Sequence, residues 1–183
     1  MFKQSDEKLI NKALGGDKAA WLKLVKRYEK LVFNYALRMV SNPDDAMDLL
    51  QDTFLAVFRN LSTFRGDSAF KSWLLKIAHY RCIEFYRKRK STVDINDVPE
   101  AYNEQGEDCP ELSAVLMQTG SEVIAAMSQL PVNQRAVVEM KFFQHLTFDD
   151  IAHRLGVSTN TVKSRLYAAL GKMKQVLEVA GVN

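Results

Sequence analysis

Residues 79 to 90, HYRCIEFYRKRK, set two tyrosines and a phenylalanine among six basic side chains, with Glu84 as the one acid. Cations beside flat rings suit a partner that is both negatively charged and planar. Lys and Arg neutralise phosphates, and an unstacked base gains about 1 to 3 kcal/mol by stacking on an aromatic face. Upstream, Arg65, Lys71, Lys76 and Arg81 extend the basic series, while Phe70 and Trp73 extend the aromatic one. Core packing explains Phe70, Trp73 and Phe85 as well as a binding role does, so this chemistry alone leaves the choice open.

A second set of polar residues lies near the C-terminus. In LTFDDIAHRLGVSTNTVKSRLYAALGKMKQVL, Asn160, Lys163, Ser164 and Tyr167 fall on one side of a predicted helix, with Arg165 adding charge. Amides, hydroxyls and cations at the start of a helix can reach base edges and phosphates in a major groove. A third set is acidic: Asp45, Asp48, Gln51 and Asp52 recur three, four or seven residues apart. Phosphates would be repelled by that face. Its partner, if it has one, is a basic protein surface, and the alternative is a solvated helix start.

The elements that must position these sets read as helical, with no alternating strand pattern of useful length. Ser5 followed by Asp6 and Glu7 predicts a helix start, Gly15-Gly16 a stop, and Asp17 the cap of a long amphipathic run through Met39. Asn42-Pro43 opens the acidic helix, with Ala46, Leu50, Phe54, Val57 and Leu61 spaced for burial. Gly66 permits a turn, Asp67 or Ser68 caps the next helix, and Phe70, Leu74, Ile77, Ala78 and Phe85 share its inner face. Near the C-terminus, Thr147 and Asp150 predict a capping box, with Ile151, Ala152 and Leu155 facing inward. Gly156 makes a tight turn, Ser158 or Thr159 caps the second helix, and Val162, Leu166, Ala169, Leu170 and Met173 line its buried side. This is a helix-turn-helix pattern.

Charge is segregated along the chain although the net value is only +3. Lys and Arg number 18 against 10 acids in residues 1–90, none against 7 in 91–121, and 7 against 5 in 122–183. Such asymmetry points to nucleic acid. The expected organisation is all-α: a helical domain over 1–90, an acidic linker over 91–121 and a second helical domain over 122–183. The longest uncharged stretch, Val123 to Gln134, is too short to span a bilayer, and the N-terminus lacks the apolar run of a signal peptide. A soluble, cytoplasmic protein is expected. Cys82 and Cys109 lack CxxC spacing and the three histidines do not cluster with them, so neither metal nor other cofactor is expected. No Ser-His-Asp set or glycine-rich phosphate loop argues for an enzyme.

Two long segments, DLLQDTFLAVFRNLSTFRGDSAFKSWLLKIA (48–78) and QLPVNQRAVVEMKFFQHLTFDDIAHRLGVSTNTVKSRLYAAL (129–170), in that order, resemble the extracytoplasmic-function (ECF) sigma factors of the sigma-70 family, bacterial transcription initiation factors. The resemblance implies that Asp45, Asp48, Gln51 and Asp52 dock on the clamp of the largest subunit of core RNA polymerase, with a further contact to the flap of the second-largest. It implies single-stranded minus-ten recognition by Ser62, Thr63, Phe64, Arg65, Lys71, Trp73, Lys76, Tyr80 and Arg81. Duplex minus-thirty-five recognition carries over to Asn160, Thr161, Lys163, Ser164, Arg165 and Tyr167. Where relatives commonly place an asparagine, this chain has Tyr80, which can stack on a base instead of hydrogen-bonding one. The linker is implied to thread toward the polymerase active centre, and an anti-sigma factor is the implied regulatory partner. The rival reading is a self-sufficient helix-turn-helix regulator with an N-terminal sensory or dimerisation domain.

Overall fold

The structure is a computed structural model and describes residues 5–90 and 120–179. Within them the regular elements are helical, and they gather into two compact units. The first is built mainly on α1 (Asp6–Leu14), α2 (Lys18–Val40), α3 (Pro43–Asn60), a 3-10 turn (Leu61–Thr63) and α4 (Phe70–Lys90). The second is built mainly on α5 (Gly120–Ser128), α6 (Val132–Val138), a π turn (Glu139–Phe143), α7 (Phe148–Leu155) and α8 (Thr159–Val179). The expected linker lies outside the described residues except at Gly120 and Ser121, which open α5.

In the first unit the helix starts fall where short polar side chains can satisfy unpaired amides. Ser5 Oγ accepts from the Lys8 amide, Asp17 Oδ1 from the amides of Ala19 and Ala20 at 2.9 and 3.1 Å, and Asn42 Oδ1 from those of Asp44 and Asp45 at 2.8 and 3.0 Å. Asp44 and Asp45 in the first turn of α3 also favour its dipole. The core gathers Leu9 and Ile10 of α1, Leu24, Val32 and Tyr35 of α2, Ala46, Leu49, Phe54 and Val57 of α3, and Phe70, Leu74 and Ala78 of α4. Tyr35 Oη and His79 Nδ1 lie 3.1 Å apart within it, so the polar ends of two buried rings satisfy each other.

Two local expectations need correction. Helix α4 starts at Phe70, and the Ala69 carbonyl accepts from the amides of Ser72 and Trp73, so the cap position lies beyond both Asp67 and Ser68. In α3 the buried stripe takes Leu49, Thr53 and Ala56, while Leu50 is only half-buried. The small Thr53 and Ala56 side chains allow close packing there, an option that counting large apolar residues overlooks.

The second unit packs Val123, Ala126, Met127, Val137, Val138, Met140, Ile151, Val162, Leu166, Ala169 and Met173 into one cluster. Arg135 is buried and donates from Nη2 to the Ser128 and Leu130 carbonyls, each at 2.9 Å, closing the otherwise open end of α5. The π turn replaces the ordinary ladder: the Gln144 amide donates to the Glu139 carbonyl at 3.2 Å, five residues back.

Candidate functional site

Each of the three residue sets sits on an element whose cap and core face fix its direction. On α3, burial of Ala46, Leu49, Thr53, Phe54, Ala56 and Val57 turns Asp48, Gln51 and Asp52 to solvent, with Asp45 half-buried at the helix start. The same outward stripe continues into Leu55 and Phe58, 54% and 59% exposed. The Phe58 ring meets Trp21 of α2 at 5.1 Å in an edge-to-face contact. The sequence reading assigns Leu55 and Phe58 neither to the core nor to the polar face. Leu55 follows Gln51 by four residues and Asp52 by three, Phe58 follows Leu55 by three, and that spacing carries the signal.

The second set divides in two. Ser62, Thr63, Arg65, Lys71, Lys76 and Tyr80 are exposed, Tyr80 by 57%. Gly66 makes its turn at φ 78°, a conformation glycine adopts without strain. Phe64 and Trp73 are half-buried members of an aromatic cluster: Phe64 lies 5.4 Å from Phe70 and 5.3 Å from Trp73, and Phe70 lies 5.4 Å from Tyr28. Phe70 is buried and belongs to the core. Arg81 is half-buried and donates to Glu84 at 2.8 Å, one helical turn on. The unit therefore presents exposed cations and an exposed tyrosine on the same loop and helix as a cluster of half-buried rings, the groups that unstacked bases and their phosphates need.

The third set depends on how α7 and α8 join. Thr147 Oγ1 accepts from the Asp150 amide while the Asp150 carboxylate accepts from the Thr147 amide, both at 3.1 Å, completing the capping box. Those bonds to Thr147, its hydroxyl first, hold the Asp150 carboxyl below its ordinary range. Gly156 ends α7 in the left-handed region at φ 67°, and Ser158 Oγ accepts from the Thr161 amide at 3.0 Å to start α8. Thr159 Oγ1 donates to Asp149 at 2.9 Å, tying the start of one helix to the start of the other. With Val162, Leu166, Ala169 and Met173 buried, Asn160 and Lys163 face solvent, and Thr161, Ser164, Arg165 and Tyr167 are half-buried. The positive end of α8 and its exposed polar side chains are thus presented together, as groove entry requires.

A helical unit with an acidic outward stripe and a cationic loop beside aromatic rings is thus followed by a helix-turn-helix unit. Residues 24–92 match Sigma-70 region 2 and residues 121–173 match Sigma-70, region 4. The chain belongs to the sigma-70 family, as an ECF sigma factor. It is 31% identical to the Mycobacterium tuberculosis ECF RNA polymerase sigma factor SigM, over 95% of this chain and 85% of that protein. It is also 28% identical to the Pseudomonas aeruginosa RNA polymerase sigma-H factor, over 97% of this chain and 96% of that protein. Among solved structures, CnrH in complex with the cytosolic domain of CnrY shares its fold at 23% identity, with a TM-score of 0.64 over 96% of this chain and 99% of that chain. The sigma factor RpoE in complex with the anti-sigma factor NepR from Bartonella quintana has a TM-score of 0.62 at 23% identity, over 85% of this chain and 94% of that chain.

Among the described residues no group of His, Cys, Asp and Glu could hold a metal ion, and no helix is long and apolar enough to cross a membrane.

Proposed function

We propose that the protein is an alternative sigma subunit that binds core RNA polymerase, brings it to its promoters through two separate DNA contacts, and stabilises strand opening. The observation that carries this reading is the pairing, on one chain, of an exposed acidic stripe that repels phosphate with two cationic surfaces that attract it. The stripe of Asp45, Asp48, Gln51 and Asp52, extended by Leu55 and Phe58, engages the clamp of the largest polymerase subunit, and the second unit engages the flap of the second-largest. Ser62, Thr63, Phe64, Arg65, Lys71, Trp73, Lys76, Tyr80 and Arg81 hold the minus-ten element as a single strand. The exposed members contact DNA, while Phe64 and Trp73 wall the site. Asn160, Thr161, Lys163, Ser164, Arg165 and Tyr167 read the minus-thirty-five element as duplex.

Phosphoryl transfer belongs to the polymerase, and this chain works in the cytoplasm as a non-catalytic subunit. Two small DNA-reading surfaces gain avidity only when polymerase fixes their separation, so the free protein binds promoter DNA weakly. An anti-sigma factor is its regulatory partner, a reading supported by the anti-sigma complex of the RpoE relative in fold. Run-off transcription with purified core polymerase tests the proposal. Promoter-specific transcripts that depend on added protein are expected. Tight, polymerase-independent footprinting without such transcripts would instead identify a self-sufficient regulator.

A further inference from the structure

One hydrogen bond crosses the core of the first unit one residue before the exposed Tyr80. Tyr35 of α2 is fully buried, His79 of α4 is 7% exposed, and Tyr35 Oη stands 3.1 Å from His79 Nδ1. Tyr35 aside, Thr53 is the one other polar side chain buried among the described residues of this unit. The His79 and Tyr80 rings lie 6.1 Å apart, tilted by 53°. Lys76, four residues before Tyr80, is exposed on the same side of the helix.

Stability gives this pair little reason to exist, because replacing both members of a buried hydrogen bond by apolar groups of the same shape is nearly neutral. Orientation gives it one. Phe70, Leu74, Leu75, Ala78 and Cys82 are buried on α4, and at about 100° per residue these five spread over about 140° of its circumference. So broad an apolar arc can turn by part of a residue step and stay covered. A hydrogen bond cannot, since it weakens steeply away from its distance and angle. His79 falls at the edge of that arc, between the buried side chains and Tyr80, where a directional contact fixes the rotation. We infer that Tyr35 and His79 are positioning residues for minus-ten selection: their bond sets the rotation of α4, and with it the direction in which Lys76 and Tyr80 meet a phosphate and a base. The inference rests on the reading of Tyr80 as a minus-ten contact and adds to it two buried residues that act on DNA only through their neighbours.

The test uses holoenzyme reconstituted with core polymerase, a promoter library randomised at the minus-ten element, and sequencing of the transcripts. Tyr80→Ala first marks the base position that Tyr80 governs. Tyr35→Phe, which keeps the buried ring and removes the bond, is expected to reduce discrimination at that position by about two- to fivefold, with the other positions and the affinity for core polymerase unchanged. Because Tyr35→Phe also takes a bond from a buried imidazole, Tyr35→Phe/His79→Leu is measured beside it. Removing both members should relax the same position at a melting temperature near that of the wild type. In the Tyr80→Ala background neither change should alter selection further, since both act through Tyr80. A melting temperature that falls with discrimination intact, relaxation spread evenly over the element, or effects that add to those of Tyr80→Ala would each make the pair a core contact and overturn the inference. If the wild-type holoenzyme gives no promoter-specific transcript, the sigma reading falls and the positioning role with it; if Tyr80→Ala marks no position, the minus-ten reading of Tyr80 falls and takes that role along. Selection that Tyr80→Ala changes and Tyr35→Phe does not sinks the positioning role alone.

Discussion

Tyr28 donates its hydroxyl hydrogen to Asp6, which begins α1, and the same carboxylate accepts from Arg27. One acid thereby fastens the first helix to the second, and the Tyr28 ring in turn packs on Phe70 of the core. Tyr28→Phe keeps the ring and removes the bond, so a loss of about 1 kcal/mol and a small drop in melting temperature are expected. Burial first, then the bond to Asp6 and its charge, push the Tyr28 phenol well above its ordinary value, with Arg27 acting in the opposite direction. A group raised in the folded state stabilises the fold below its unfolded pKa and loses that contribution as pH rises through the folded one. Alkaline melting curves should therefore weaken above pH about 10 in the wild type and less so in Tyr28→Phe.

At the other end of the pH scale, the capping box of α7 gives the opposite sign. Asp150 is held below the ordinary carboxylate range, so its stabilisation is present above that range and is lost as pH falls through the folded value. Thermal melts below pH about 4 should show this loss, and Asp150→Asn should flatten it. Thr147→Ala, which removes the cap hydroxyl, should cost about 1 kcal/mol at neutral pH.

Tyr80 projects into solvent on α4. Tyr80→Ala should change which minus-ten sequences the holoenzyme selects. Single removal of Arg87, Lys88 or Arg89 should lower affinity across all templates and reduce the salt slope by about 1 without reordering preference. Sequencing transcripts from a randomised minus-ten library separates the two outcomes.

On the proposed reading the acidic stripe on α3 meets polymerase, so its charge reversal should act on polymerase binding and spare DNA. Asp52→Lys is expected to weaken binding to core polymerase by about tenfold or more at low salt. Phe58→Ser, which removes exposed apolar surface and no charge, should weaken it with little salt dependence. Fluorescence anisotropy with labelled protein at two salt concentrations distinguishes them.

Much of this was legible from residue order. Ser5, Asp17, Asn42, Thr147 and Ser158 all cap the helices they precede, because a short polar side chain before an apolar periodic run has few other uses. Asp48, Gln51 and Asp52 face outward as their spacing demanded. What stayed hidden depends on contacts between distant residues. Nothing local in the sequence marks the π turn at Glu139–Phe143. The bond between Tyr35 and His79 joins residues 44 apart, and the cluster around Phe64 joins α2, α4 and the intervening loop. Such encounters are set by packing, which periodicity does not specify.

Along α8, the residues that seat the helix and those that face outward interleave without sharing a job: Val162, Leu166 and Ala169 are sunk in the core while Asn160 and Lys163 stand clear of it. On the proposed reading of α8, substitutions at Asn160 or Lys163 would change DNA preference while leaving these core side chains in place, so new promoter choice and a preserved fold can be had from the same helix.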